Sequence, residues 1–292
     1  MEGPIQSSCW RQGDLKNLMI ELGIWKKTKE TPIMTVLYIP HGGGPLPLLN
    51  HKGHRDLIEF LKHVPEQIQT PDAIIVISAH WEQSIPSLTA NAAPPLIYDY
   101  DGFKPEAYEI EYPAPGSPRL AEKIFSIFEQ NGIRSQLEHR WGFDHGVFVP
   151  LTLMYPDAQI PCVQLSLING WDPSAHINLG RALQKITVEN ILVLGSGFSF
   201  HNMKTFGQTT EDQKNIAFDG WLSETMTDPE LSPSDREDRL IHWEDAPHAR
   251  YCHPIEDHLL PLHVCYGIKE TPAKMIFNGY VLGKKCCAFL WQ

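Results

Sequence analysis

The chain has 292 residues, with 24 Lys plus Arg against 35 Asp plus Glu and a formal net charge of -11, so nucleic acid would meet little cationic surface. A hydrophobic fraction of 42% suffices for one large core, yet no run reaches the roughly 18 apolar residues that cross a bilayer. The start, Met1-Glu2-Gly3-Pro4, lacks a secretory pattern, and the six cysteines show no CxxC spacing, which predicts a cytoplasmic protein with reduced thiols and no disulfide framework or zinc knuckle.

Residues 1–32 read as an N-terminal extension, with an amphipathic helix from about Asp14 to Lys27 carrying Leu15, Leu18, Met19 and Leu22 on one face. Thr35 to Pro40 form the first core strand and run into His41-Gly42-Gly43-Gly44-Pro45. The glycines allow close backbone approach to a ligand, but the lysine and Ser/Thr of a phosphate loop are absent. A helix over 55–63, with Leu57, Phe60 and Leu61 inward, joins this strand to the next in a βαβ unit. That next strand, Ala73 to Ala79, has no alternation of polar residues, the mark of a strand buried on both faces. It ends in His80. Ligands of open α/β sheets sit beyond the carboxyl ends of the strands, which is where His41 and His80 fall.

A short strand at 87–89 precedes a Pro- and Tyr-rich segment over 94–118. This is expected to be loop and edge strand serving as a lid, because long loops inside compact domains are usually functional. Ser117 to Asn131 carries Leu120, Ile124, Ile127 and Phe128 at helical spacing. Asp144 and His145 lie in a Gly-flanked loop, where binding residues concentrate, before a helix over 147–154. A strand over 161–167, a helix over 174–187 and a buried strand over 191–197 follow, and the last leads to His201-Asn202. The polar stretch 207–240 is helical around Ile216, Phe218, Trp221 and Leu222. Pro254 suits a first helical turn, and Pro261 kinks or restarts a helix. Two edge strands, 274–282 and 286–291, close the chain. The predicted fold is a single α/β domain over 33–292, with a central mostly parallel or mixed sheet flanked by helices.

A histidine beyond a strand is more often a satisfied core residue than a ligand. Several placed alike change the balance. Three neutral imidazoles around one divalent ion leave coordination positions open, and a further histidine can move protons near neutral pH. His41, His80, His201 and the group His253, His258 and His263 are the candidates, and spacing alone does not choose among the last three.

Together His41-Gly-Gly-Gly-Pro, Ser78-Ala-His-Trp-Glu, Gly142-Phe-Asp-His-Gly, Gly195-Ser-Gly with His201-Asn202, and His253-Pro-x-x-Asp-His258-x-x-Pro-Leu resemble the class III extradiol ring-cleavage dioxygenases, in their DOPA 4,5-dioxygenase-like branch. The resemblance implies a mononuclear nonhaem metal site, with Fe(II) expected for activity and Zn(II) able to bind, and a small catechol and O2 as partners. It carries His41, His80 and His258 over as metal ligands and His201 as the acid/base. His145 joins His201 as a catalytic candidate. His263, His253, Trp243 and Asp144 are the substrate-binding candidates, and Tyr98 is a further stacking candidate. The chain is expected to be a monomer or small homo-oligomer. A non-catalytic Memo-like protein, which would carry a cysteine in the site, and a zinc hydrolase using Glu82, Glu256 or His201 as base are the rivals.

Overall fold

The computed structural model describes residues 34–186, 190–208 and 211–292, so the extension and its helix lie outside the described residues. The four strands at the centre are β1 (Met34–Pro40), β2 (Ala73–Gln83), β5 (Cys162–Ile168) and β6 (Ile191–Gly197). They lie in the order β5-β2-β6-β1, all parallel. Their side chains are buried on both faces, Val36, Ile74 to Ile77 and Leu192 to Leu194 among them. Burying each such aliphatic side chain contributes about 1.5–3 kcal/mol. The sequence shows this as unbroken apolar runs.

Outside this core the sheet turns mixed. The short β3 (Ser87–Thr89) runs antiparallel to β5 and carries β4 (Gln136–Glu138) at one margin. On the other side β8 (Lys284–Trp291) is antiparallel to β1 and to β7 (Lys274–Val281). Of the two strands expected as edges, only β7 is one. β8 is inserted between β7 and β1, and its near-complete burial follows from that place. The helix α1 (Arg55–His63) links β1 to β2, but β6 lies between them, so the βαβ unit skips a strand.

The remaining helices are α2 (Pro118–Gln130), α3 (His145–Met154), α4 (Pro173–Leu183), α5 (Gln213–Thr227), α6 (Pro233–Ile241), the single turn α7 (Ala249–Cys252) and α8 (Leu260–Lys269). Pro261 stands in the first turn of α8, which makes it a helix start. The segment 94–118 contains no edge strand. It is a loop with a 3-10 turn at Pro105–Tyr108, tied to the domain where Leu96 bridges Phe143. Its own tyrosines brace it, Tyr98 Oη donating to the Ile110 carbonyl at 2.7 Å and Tyr100 Oη to that of Ala107 at 2.6 Å. Among the described residues no helix is long and apolar enough to cross a membrane.

Candidate metal centre

Five histidines from distant parts of the chain meet at the carboxyl ends of the parallel strands. His41 follows β1, His80 lies in β2, His145 opens α3, His201 follows β6, and His258 precedes α8. All five line one cavity of about 390 Å³. His80 Nε2 lies 3.0 Å from His41 Nε2 and 3.2 Å from His258 Nε2.

The opposite nitrogens of these three rings explain what that meeting means. Pro150 has no N–H to close the α3 bond to the Gly146 carbonyl. That carbonyl instead accepts the Ser196 hydroxyl. With its proton so committed, Ser196 Oγ accepts from His41 Nδ1 at 3.0 Å, and His41 must carry its proton there. Asp99 Oδ2 stands 3.3 Å from His80 Nδ1. Asp257 Oδ1 accepts the His258 backbone N–H at 2.7 Å and lies 2.9 Å from His258 Nδ1, an ion-pair approach too bent for a hydrogen bond. Each Nδ1 thus faces an acceptor, and the Nε2 of His80 meets those of both His41 and His258.

Three lone pairs so close repel unless a cation lies among them. Bonds of about 2.0–2.2 Å to one ion place ligands at right angles about 2.8–3.1 Å apart, so the observed separations fit a shared divalent metal. Burial and the neighbouring histidines hold the pKa values of His41 and His80 well below the usual value, and that of His258 is pushed down to about 4 for the same reasons. Neutral imidazoles are what a metal binds.

The backbone is shaped for this. The first glycine after His41 has φ +92°, a turn that L side chains rarely adopt, and it aims the loop back toward His54, whose Nε2 accepts the Gly43 N–H at 3.0 Å. At the end of β6 a methyl group on Gly197 would strike the His258 carbonyl oxygen. That oxygen accepts from the Phe198 N–H at 2.9 Å and from Tyr38 Oη at 3.0 Å. The Gly-Ser-Gly of β6 therefore fixes two of the converging rings, Ser196 holding His41 and Gly197 admitting His258.

His201 stacks on His258 with ring centroids 3.3 Å apart at 18°, and its Nδ1 is 3.7 Å from Asp257 Oδ1. Burial would raise the Asp257 pKa, but contact with His201 and His258 outweighs it and holds the carboxyl well below its ordinary range. His145 donates from Nδ1 to Asp99 Oδ1 at 2.9 Å, and the same oxygen accepts its backbone N–H at 3.0 Å. Two sets of ligand atoms are close enough to share an ion: those of His41, His80 and His145, and those of His201, Asp257 and His258. The sequence assigned no role to Asp99 or Asp257, although Asp257 stands in the motif beside His258 and a carboxylate next to a candidate ligand was the signal available, whereas Asp99 arrives from a loop that no spacing rule connects to His80.

The four residues expected to bind substrate lie away from the cavity. Asp144 is fully buried beneath the site, accepting from Ser78 Oγ at 2.7 Å and from Gln164 Nε2, with its pKa raised to about 6 by burial and by Asp99. His263 is spent inside the helical layer, its nitrogens facing the Leu240 carbonyl at 2.9 Å and the Leu259 carbonyl at 3.3 Å. His253 is wedged between Phe218 and Trp243, and Trp243 itself is buried beneath Arg250. Tyr98 braces its loop, and it is Tyr100 that reaches the cavity. Neither acid proposed as a hydrolytic base does so, since Glu82 accepts from Trp171 Nε1 at 2.7 Å and Glu256 pairs with Arg250 at 2.5 Å.

The family model described as the catalytic LigB subunit of aromatic ring-opening dioxygenase matches residues 35–284. This chain belongs to the LigB family. The dioxygenase tasH of Hapsidospora irregularis is 36% identical over 276 residues, spanning 88% of this chain and 85% of its own. The 4,5-DOPA dioxygenase extradiol of Beta vulgaris is 34% identical over 258 residues, covering 86% and 93%. The Escherichia coli (strain K12) protein of that name is 34% identical over 218 residues, 73% and 79% of the two chains. The crystal structure of uncharacterized protein JW3007 from Escherichia coli K12 superposes with a TM-score of 0.71 at 26% identity, over 89% of this chain and 100% of that one. LigB dioxygenases are metal-dependent, and in this member the histidine cluster is the place where a metal fits.

Proposed function

We propose that this LigB protein opens a catechol ring by extradiol cleavage with O2, with Fe(II) held by His41, His80 and His258. The meeting of three Nε2 lone pairs beside His201 carries this reading. Bound Fe(II) supplies a common seat for the two catechol oxygens and O2, and a route for electrons between them; Zn(II) would fill the same imidazoles without redox chemistry.

The chain supplies the rest. His201, with Nδ1 toward Asp257, takes a catechol hydroxyl proton at Nε2 and returns one as the ring opens. His145, whose Nδ1 proton is held by Asp99, offers Nε2 as a second acceptor toward the bound diol. Phe198, Phe206 and Leu282 wall the cavity and exclude water from the reacting atoms. The Memo-like rival lacks its residue, since no cysteine among the described residues lines the cavity, and of the three bases offered for a zinc hydrolase Glu82 and Glu256 are engaged elsewhere, which leaves it only His201.

The test is anaerobic loading with Fe(II), then addition of catechols and air while O2 uptake and a yellow ring-opened product are followed. Product formation that requires Fe(II) supports the reading. Loaded protein that consumes no O2 with any catechol contradicts it.

A further inference from the structure

Resting on the ring-opening reading, we infer that the substrate is a catechol whose remaining substituent is apolar and uncharged, and that an amino-acid catechol such as DOPA is a poor fit. Beyond the histidines, the cavity wall is built mainly from Leu46, Phe103, Phe198, Met203, Phe206 and Leu282. Among the described residues no lysine or arginine lines it, and its one carboxylate is Asp101. The nearest cations in sequence, Lys104 and Lys204, are exposed and stand outside the wall. Behind the histidines lie two further carboxylates, Asp99 and Asp257.

A substrate side-chain carboxylate entering this space would leave water with no lysine or arginine among the described lining residues to pair with, and Asp101 stands in the wall. An unpaired buried charge is among the costliest things a site can hold. The ammonium of DOPA gains little in return, because Asp101 is exposed and a pair there is screened by solvent. An alkyl or aryl group meets the opposite conditions. The cavity is at the small end of the roughly 300–1,000 Å³ typical of ligand pockets, room for one ring and a short side group. Met203 is 71% exposed, an apolar rim along which that group leaves the cavity.

Propylcatechol and dihydrocaffeate are a matched pair of probes, differing only by exchange of a terminal methyl for a carboxylate. Binding of each to the full-length, Fe(II)-loaded chain is measured anaerobically by calorimetry, and KM for O2 uptake is compared, with L-DOPA as a third ligand. The expected result is tenfold or more tighter binding of propylcatechol than of either carboxylate. Met203→Arg, at an exposed position that folding tolerates, is expected to narrow that ratio about tenfold by improving dihydrocaffeate. Equal or tighter binding of dihydrocaffeate or L-DOPA by the wild-type chain overturns the inference and leaves ring opening standing. Failure of every catechol to bind or to drive O2 uptake overturns the ring-opening reading and this inference with it.

Discussion

Two groups of buried histidines divide this molecule. At the carboxyl ends of the strands His41, His80 and His258 each have one nitrogen facing an acceptor of the protein and one facing another imidazole. Elsewhere His176 closes its accounts locally. His176 Nδ1 donates to the Asp172 carbonyl at 2.7 Å while Nε2 accepts the Ile168 N–H at 3.1 Å, which fastens the start of α4 to the end of β5. His263 has both nitrogens against carbonyls, and its single proton as a neutral ring serves one of them, that of Leu240 being the nearer at 2.9 Å. Burial alone therefore does not separate a ligand from a structural histidine. What separates them is what the second nitrogen meets: another imidazole in the three site rings, a backbone N–H in His176, and the aromatic surroundings of Phe218 and Trp243 in His253.

Substitutions that keep this contrast in view should give graded effects. His80→Ala should be the most severe, removing the ring that both of the others face and reducing O2 uptake to background, while circular dichroism and melting remain close to wild type. Second is His201→Ala, which should leave metal bound and lower turnover by about 100-fold or more, the scale of a lost general acid/base. Unchanged turnover would show that the stacked ring is a bystander. Asp99→Asn should come third, at about 10–100-fold in metal affinity or activity, because one carboxylate serves both His80 and His145. An effect confined to stability would reduce Asp99 to a loop anchor.

The smallest effect on activity should come from His176→Leu, which touches only the second group. It should cost about 1–3 kcal/mol of stability at neutral pH, from the Ile168 N–H left without its acceptor, with metal content unchanged. Its pH signature is distinctive. Burial lowers the His176 pKa from 6.5 to about 4, so the unfolded chain takes up the proton first as pH falls. Stability from the neutral ring is full above about pH 6.5 and declines as pH drops toward about 4, where the folded form protonates too. Denaturation midpoints between these limits should therefore fall more steeply in wild type than in the variant. Parallel pH profiles would exclude His176 as a source of acid sensitivity.

The sequence made the central strands readable because burial on both faces leaves continuous apolar runs, as in Ala73 to Ala79. Histidines just past such runs then marked the right end of the sheet. Strand order was not readable, since nothing local states that β6 separates β1 from β2 or that β8 is interior. Within the site, three of the four substrate candidates that lie away from the cavity share one cause. His253, His263 and Trp243 stand near His258 in the chain, yet helix geometry turns them into the layer of α5, α6 and the 3-10 turn at Trp243–Asp245. Pro150 shows the converse. A residue that reads as a helix flaw frees the Gly146 carbonyl that, through Ser196, sets the His41 tautomer.

The central claim is that one ion lies among His41, His80 and His258, with His145 beside it as a proton acceptor. Anaerobic Fe(II) loading, desalting and metal analysis of wild type, His258→Ala and His145→Ala test it most directly. The account predicts one ion per chain in wild type and His145→Ala and essentially none in His258→Ala. Retention by His258→Ala with loss from His145→Ala would contradict it and give the third position to His145.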